Sequence, residues 1–394
     1  MSDSIKVLIF GDINQDTLED NLFQRFNITQ QQSNLFVNKT LSELKPDVIL
    51  TFGEVEDHES MSLQPLFLRK KWIHIDDLDI SAYELSYIID RCFASLFSDK
   101  RQFNEPLVSI ITPTYNTENI YWPYRSFAGQ EYKNIEWIIY DDGSSDENTI
   151  NSIKQIASVD PRVKVFFAEH SGSIGEVKHN AFMLAEGEIL VELDHDDELT
   201  PWCISSIVEA FTRFPDAGFA YTDCAEVIGN EHENASYPDG WGFGYGSYRS
   251  ELWRGRDYLV SNYPDLNSKT IRHIVGVPNH ARAWRADFYK SIGGHNKNLF
   301  VADDYELLVR TWLSTFMVHI QRFGYIQYHH ENNTQKKRNA EIQNLVSLIH
   351  QIYESDIHQR FAEIGIPDFI WKDGVLDWSI PNPEENLAGN YIMQ

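Results

Sequence analysis

The 394-residue chain has little cysteine, few basic residues for its acidic ones, and no long apolar run. Its three cysteines, Cys92, Cys203 and Cys224, stand far apart without a CxxC pair. Neither a disulfide framework nor a cysteine zinc site is therefore expected. Lys and Arg number 33 against 59 Asp and Glu, and the net charge of −26 repels nucleic-acid backbones and anionic membrane surfaces. No run of about 18 apolar residues could cross a membrane, and the N-terminus has no charged stretch leading into an apolar one. The phosphate-cradling patterns G-x-G-x-x-G and G-x-x-x-x-G-K-[ST] are absent as well. What remains is a core-forming composition, 42% hydrophobic and 23% charged. A soluble protein of a reducing compartment, the cytoplasm, is expected, with two or three domains.

Short apolar runs organise the chain. Lys6–Phe10, Val48–Phe52 and Trp72–Ile75 are apolar on both faces, as buried parallel strands are. Helix-like segments such as Leu18–Phe26 and Tyr83–Phe97 separate or follow them. From Leu107 the alternation strengthens, with strands predicted at Val108–Thr112, Trp137–Tyr140, Val163–Phe167, Ile189–Leu193 and Phe219–Thr222. Helices fall between these strands, one carrying Val177, Ala181, Leu184 and Ala185 on one face, another Ile204, Ile207, Val208 and Phe211. Thr200-Pro201 reads as the cap and first turn of the latter. The boundaries expected are 1–97 for a small Rossmann-like α/β domain, 98–106 for a polar linker, 107–338 for a larger α/β domain with a mostly parallel sheet, and 339–394 for a helical extension and tail. Between residues 229 and 262 the pattern breaks, and Trp241 to Tyr248 reads as a glycine–aromatic loop, either a mobile lid or a self-packed surface loop.

Ligands of parallel α/β sheets bind at the carboxyl ends of strands, and acidic groups stand where those ends should be. They are Asp141-Asp142-Gly143-Ser144-Ser145-Asp146, Asp194-His195-Asp196-Asp197, and Asp303-Asp304 at the start of a helix with Leu307, Leu308, Arg310 and Trp312. Turns and caps use Asp and Ser for themselves, so an isolated group would mean little. Three acids after a fully apolar strand repel one another unless a cation balances them, and hard carboxylate ligands suit Mg²⁺ or Mn²⁺.

Taken with Val108-Ser109-Ile110-Ile111-Thr112-Pro113-Thr114-Tyr115-Asn116, these motifs make residues 107–335 resemble the inverting family-2 glycosyltransferases of GT-A fold. The resemblance implies a nucleoside-diphosphate sugar as donor, a glycan or glycoconjugate hydroxyl as acceptor, and Mn²⁺ or Mg²⁺ as cofactor. Residues Pro113 to Asn116 would form the nucleotide-binding loop, with Tyr115 against the base and Asp142 accepting a hydrogen bond from it. Asp194 would contact the ribose or the metal, Asp196 would bind the metal, and Asp304, next to Asp303, would be the general base. In Tyr328-His329-His330-Glu331-Asn332-Asn333, His330 fits the register of a metal-approaching histidine, with His329 as the alternative. A basic contact to the phosphates could be Lys178, His179 or neither, and His195 could be a polar contact or a spacer. Trp241 belongs to the candidate acceptor lid. No Gln-x-x-Arg-Trp signature of polymer synthases occurs, which favours a single addition. A nucleotidyltransferase and a catalytically silent sugar-nucleotide-binding protein are the other classes to weigh. The oligomeric state is left open.

Overall fold

The computed structural model describes residues 5–10, 26–31, 44, 46–52, 72–75, 85, 88–89, 105–228, 233–236, 248–263, 266–330 and 334–380. The chain forms two compact units, one built on Met1–Gln102 and the other on Phe103–Phe211 with Asp216–Asn386. None of the described helices is long and apolar enough to cross a membrane.

The first unit holds a parallel sheet of β1 (Lys6–Phe10), β2 (Asn27–Gln31), β3 (Val48–Phe52) and β4 (Trp72–Ile75), in the order β2-β1-β3-β4. Three of these strands coincide with the apolar runs. The fourth, Asn-Ile-Thr-Gln-Gln, is polar because it lies on the sheet edge and pairs only with β1. Val7, Ile9, Val48 and Leu50 pack with Leu85 and Ile89 on one face, while Leu8, Phe10 and Ile49 fill the other. Most of the two helix candidates in this unit lies outside the described residues.

The second unit opens with four parallel strands, β5 (Val108–Thr114), β6 (Ile135–Asp141), β7 (Val163–Phe167) and β8 (Ile189–Glu192), in the order β7-β6-β5-β8. Helices α1 (Tyr121–Ala128), α2 (Glu147–Val159) and α3 (Ile174–Met183) alternate with them. Ile110, Trp137, Ile138 and Val191 are fully buried. Two caps start helices beside the carboxyl edge: Asp146 accepts from Asn148 N and Thr149 N for α2, and Ser173 accepts from Glu176 N for α3.

After β9 (Glu198–Leu199) comes α4 (Cys203–Arg213). Its expected cap is not made. The Thr200 hydroxyl donates to the Phe323 carbonyl at 3.0 Å, and Gln130 Oε1 accepts from Ile204 N instead. The sheet then continues with β10 (Phe219–Ile228), β11 (Glu233–Asn234), β12 (Tyr248–Trp253), β13 (Arg256–Ser261) and β14 (Arg282–Arg285), β14 running antiparallel to both β8 and β10. Part of the segment 229–262 is therefore sheet. β12 and β13 form a hairpin whose two-residue turn, Arg254-Gly255, has both φ values positive, 52° and 73°. Trp241 and its neighbours up to 247 lie outside the described residues. Helices α5 (Ala286–Ser291) and α6 (Asp303–Ser314), β15 (Met317–His329, parallel to β10) and α7 (Thr334–Ile364) follow, and α7 begins five residues ahead of the expected boundary at 339.

Candidate active site

The carboxyl ends of β5, β6 and β8 converge, and the loops that leave them are fastened to one another. Asn116, at φ 43°, donates its backbone N–H to Ser144 Oγ at 2.8 Å, while its Oδ1 accepts from Ser145 N and Asp146 N at 2.9 Å. Its side-chain carbonyl thus staples two loops. Asp141 accepts from Ser144 N and Oγ, which holds the β6 turn. Gly143, at φ 71°, lies so close to the next loop that a Cβ would meet His170 N at 2.6 Å, which brings Asp142 and His170 together. Asp142 Oδ1 accepts from Ser171 N at 2.8 Å and Oδ2 lies 2.8 Å from His170 Nδ1. The His170 ring stacks on Tyr115 with centroids 4.5 Å apart. Both residues expected to meet the base are thus joined through His170. Thr114 is buried with a hydroxyl that has no partner among the described residues, and the Pro113 carbonyl pairs with His195 Nδ1 at 3.3 Å.

The acids after β8 divide by role. Asp197 is buried and accepts from Tyr325 Oη and from Tyr328 N, each at 2.8 Å, which ties this turn to β15. Burial and the neighbouring Asp196 and Asp194 raise its pKa well above the carboxylate range. Asp196 faces His330, with Oδ2 2.5 Å from Nε2. Burial would raise its pKa, but the bond to His330 together with the charges of His195 and His330 holds it below the usual value. Asp194 is pushed up to about 6 by burial, against the pull of Lys178, and its carboxylate lies 3.6 Å from His280 Nε2. His329 points the other way along β15 and pairs with Glu226 at 2.6 Å. Of the two adjacent histidines, His330 is thus the one brought to Asp196.

Beneath this edge lies a buried charge network. Glu192, fully buried in β8, holds Lys178 Nζ at 2.5 Å and Arg282 Nη1 at 3.3 Å. Burial opposes its ionisation, yet the two cations bring its pKa well below the usual value. Lys178 is therefore engaged by Glu192 below the cleft. Arg282 reaches on to Asp304, with both terminal nitrogens 3.2 Å from Oδ2. Asp304 opens α6 beside Asp303, after Ala302 in the left-handed conformation. Asp303 turns inward, its Oδ2 4.0 Å from Lys178 Nζ and 3.8 Å from His295 Nε2. Arg310 donates to Glu306 and to the carbonyls of Ile292 and Gly294, so it anchors a loop. His170, His280 and His295 carried no motif signal. Glu192 did carry one, as a charge ending an otherwise apolar strand, whereas Arg282 shares its strand with a second arginine, Arg285.

Carboxylate oxygen and imidazole nitrogen at one point are a donor set that suits Mn²⁺ or Mg²⁺, so Asp196 and His330 fit a divalent cation, with Asp194 alongside. Among the described residues no three His, Cys, Asp or Glu side chains form a closed metal cluster.

A parallel half with acids at its carboxyl edge, joined there by the acid pair that opens α6 and the histidine that follows β15, is a mixed α/β architecture of GT-A type. Residues 109–264, under half of the chain, match the model of glycosyl transferase family 2. It is 28% identical over 214 residues to the uncharacterized protein y4gI of Sinorhizobium fredii, covering 54% of this chain and 21% of that protein. Against hyaluronan synthase of Pasteurella multocida the identity is 25% over 262 residues, covering 66% and 24%. The chain thus spans a quarter or less of these two relatives. Among solved structures, TarS 1–349 of S. aureus in complex with UDP-GlcNAc aligns at 17% identity and TM-score 0.47, covering 65% of this chain and 72% of that one.

Proposed function

We propose that this protein is a metal-dependent inverting glycosyltransferase that moves one sugar from a nucleoside-diphosphate sugar to the hydroxyl of a glycan or glycoconjugate. The observation that carries the reading is the pairing at one sheet edge of Asp196 with His330 and of Asp304 with Arg282. In this reading Tyr115 and Asp142, with His170, receive the nucleobase, and Asp196, His330 and Asp194 hold Mn²⁺ or Mg²⁺. A divalent cation there supplies Lewis-acid stabilisation of the leaving diphosphate. Asp304 stays ionised beside Arg282 and takes the acceptor's proton as the new bond forms, and a single displacement inverts the anomeric carbon. The absence of a polymer-synthase signature supports one addition per encounter. Two buried free cysteines, Cys203 and Cys224, suit a reducing compartment such as the cytoplasm.

The test is a thermal-shift panel of nucleotide sugars with and without Mn²⁺, followed by product analysis with the responding donor. One donor should stabilise the protein only when Mn²⁺ is present, by RT ln(1 + [L]/Kd), and EDTA should abolish transfer. Asp196→Ala should not be rescued by excess Mn²⁺. Undiminished turnover in chelator would remove the metal from the proposal, and release of pyrophosphate from a nucleoside triphosphate would replace it with nucleotidyl transfer.

A further inference from the structure

In a chain of net charge −26, one surface next to the site collects arginines on aromatic rings. At the β12–β13 turn, Arg254 lies over Trp253 at 4.0 Å, and Arg256 lies over Tyr258 at 4.7 Å. Trp253 meets Trp202 edge to face at 6.0 Å, and Arg322 lies over Trp202 at 5.1 Å. Glu198, directly after the acids of β8, draws in Arg254 at 2.8 Å and Arg125 at 3.5 Å. Arg125 and Arg254 remain 64% and 48% exposed while doing so. Glu198 also lies 3.5 Å from Tyr328 Oη, and Tyr328 is two residues before His330 on the same edge of the molecule. Through Glu198 and Tyr328 the surface is thus tied to the strand that leads to the candidate metal pair.

We propose that this surface is an acceptor subsite for an anionic oligosaccharide, one bearing carboxylates on its sugars. Half-buried tryptophan edges offer apolar area to the C–H faces of sugar rings. Stacked guanidiniums are held planar and already partly desolvated, so a carboxylate can be met by two N–H donors with little further ordering. A neutral glycan would use the aromatic edges and leave the arginines idle. A patch serving only to cover the core has no need of two arginines on one buried carboxylate with two more stacked on rings nearby. The inference deepens the transferase reading and rests on it. The exposed Leu252 beside Trp253 raises a lipid surface as the competing occupant, which the test separates.

The full chain is titrated with a galacturonate hexasaccharide, with maltohexaose, and with phosphatidylglycerol vesicles. The uronate hexasaccharide should bind at least tenfold tighter than maltohexaose and weaken as salt rises. An Arg254→Gln/Arg322→Gln double variant should lose at least tenfold in that affinity while keeping its thermal shift with the nucleotide sugar. Should that variant melt early, Arg125→Gln, at an arginine more exposed than Arg254, takes its place with the same expectation. Equal binding of the two hexasaccharides, or affinity unchanged in the variants, would overturn the proposal. Arginine-dependent vesicle binding without hexasaccharide binding would assign the surface to a membrane and overturn it equally. Loss of the nucleotide-sugar response in wild type, with hexasaccharide binding intact, would instead count against the transferase reading.

Discussion

Asp303 and Asp304 are neighbours in sequence and opposites in circumstance. The Asp304 side chain is 26% exposed and paired with Arg282, and although burial opposes ionisation, Arg282 and Lys178 hold its pKa below the usual range. Asp303 is buried and pushed up to about 7, chiefly by burial, with Lys178 pulling against it. Asp304→Asn retains an oxygen for the Tyr305 N–H, which Asp304 Oδ1 now accepts at 2.8 Å. Folding and donor binding should therefore persist, while transfer falls by at least ~10²-fold for loss of a general base; single-turnover assays beside a nucleotide thermal shift check both halves. Asp303→Asn has a different signature. Because the folded pKa of Asp303 is raised, its stabilising share is full below pH ~4 and is lost as pH rises through about 7. Urea midpoints should show Asp303→Asn gaining on the wild type between pH 4 and 8, and a constant difference across that range would refute the shift. The acids and His330 were legible in sequence because each follows or opens an element. Glu192 and Arg282 were not assigned, since a charge on a strand acquires meaning only when the facing strand is known. The bonds Asn116 makes were not legible for a related reason: its partners, Ser145 and Asp146, belong to another loop.

Elements inherit their certainty from burial. The five strands predicted after Leu107 are all present, and each is apolar because helices or neighbouring strands cover it. The β12–β13 hairpin is not legible in the sequence because Arg249 and Glu251 on one face of β12 and Ser250 on the other dilute its apolar pattern, and its Arg-Gly turn is a weaker signal than Asn-Gly. Helix α7 depends on a contact no local pattern could announce. Arg272, fully buried, donates to Glu354 of α7 at 2.5 Å, to Asp368 at 2.9 Å and to the Ser268 carbonyl at 2.6 Å. Replacing it by methionine strands two carboxylates, and breaking such a buried pair costs about 3–5 kcal/mol. The expected result for Arg272→Met is an unfolding midpoint lowered accordingly in urea, and a loss under 1 kcal/mol would show that α7 is held by packing alone. Burial pushes Glu354 and Asp368 upward, but their bonds to Arg272 among others leave both pKa values lowered. Their stabilising share is thus present above pH ~4 and disappears as pH falls below it. The wild type should lose stability in that acid window more steeply than Arg272→Met.

At the scale of the whole molecule, chemistry and architecture separate along the chain. Every residue assigned to the candidate site lies between Pro113 and His330, inside the unit built on Phe103–Phe211 and Asp216–Asn386. The first unit has its own sheet and its own core on both faces of that sheet. Its strands β1 and β3 present Val, Leu, Ile and Phe, and the residues that follow them lie outside the described residues. We propose that this unit positions the protein or its acceptor and takes no part in the reaction. A protein beginning at Phe103 should then fold and keep its response to the donor identified for the full chain. At a donor concentration of 100 Kd that response amounts to about 2.7 kcal/mol, large enough to be compared between the two forms. Equal donor affinity in both, with acceptor KM raised in the shortened form, would assign the first unit to acceptor placement. A shortened protein that unfolds cooperatively but has lost the donor response would mean that the first 102 residues complete the nucleotide site, and the division of labour drawn here would be wrong.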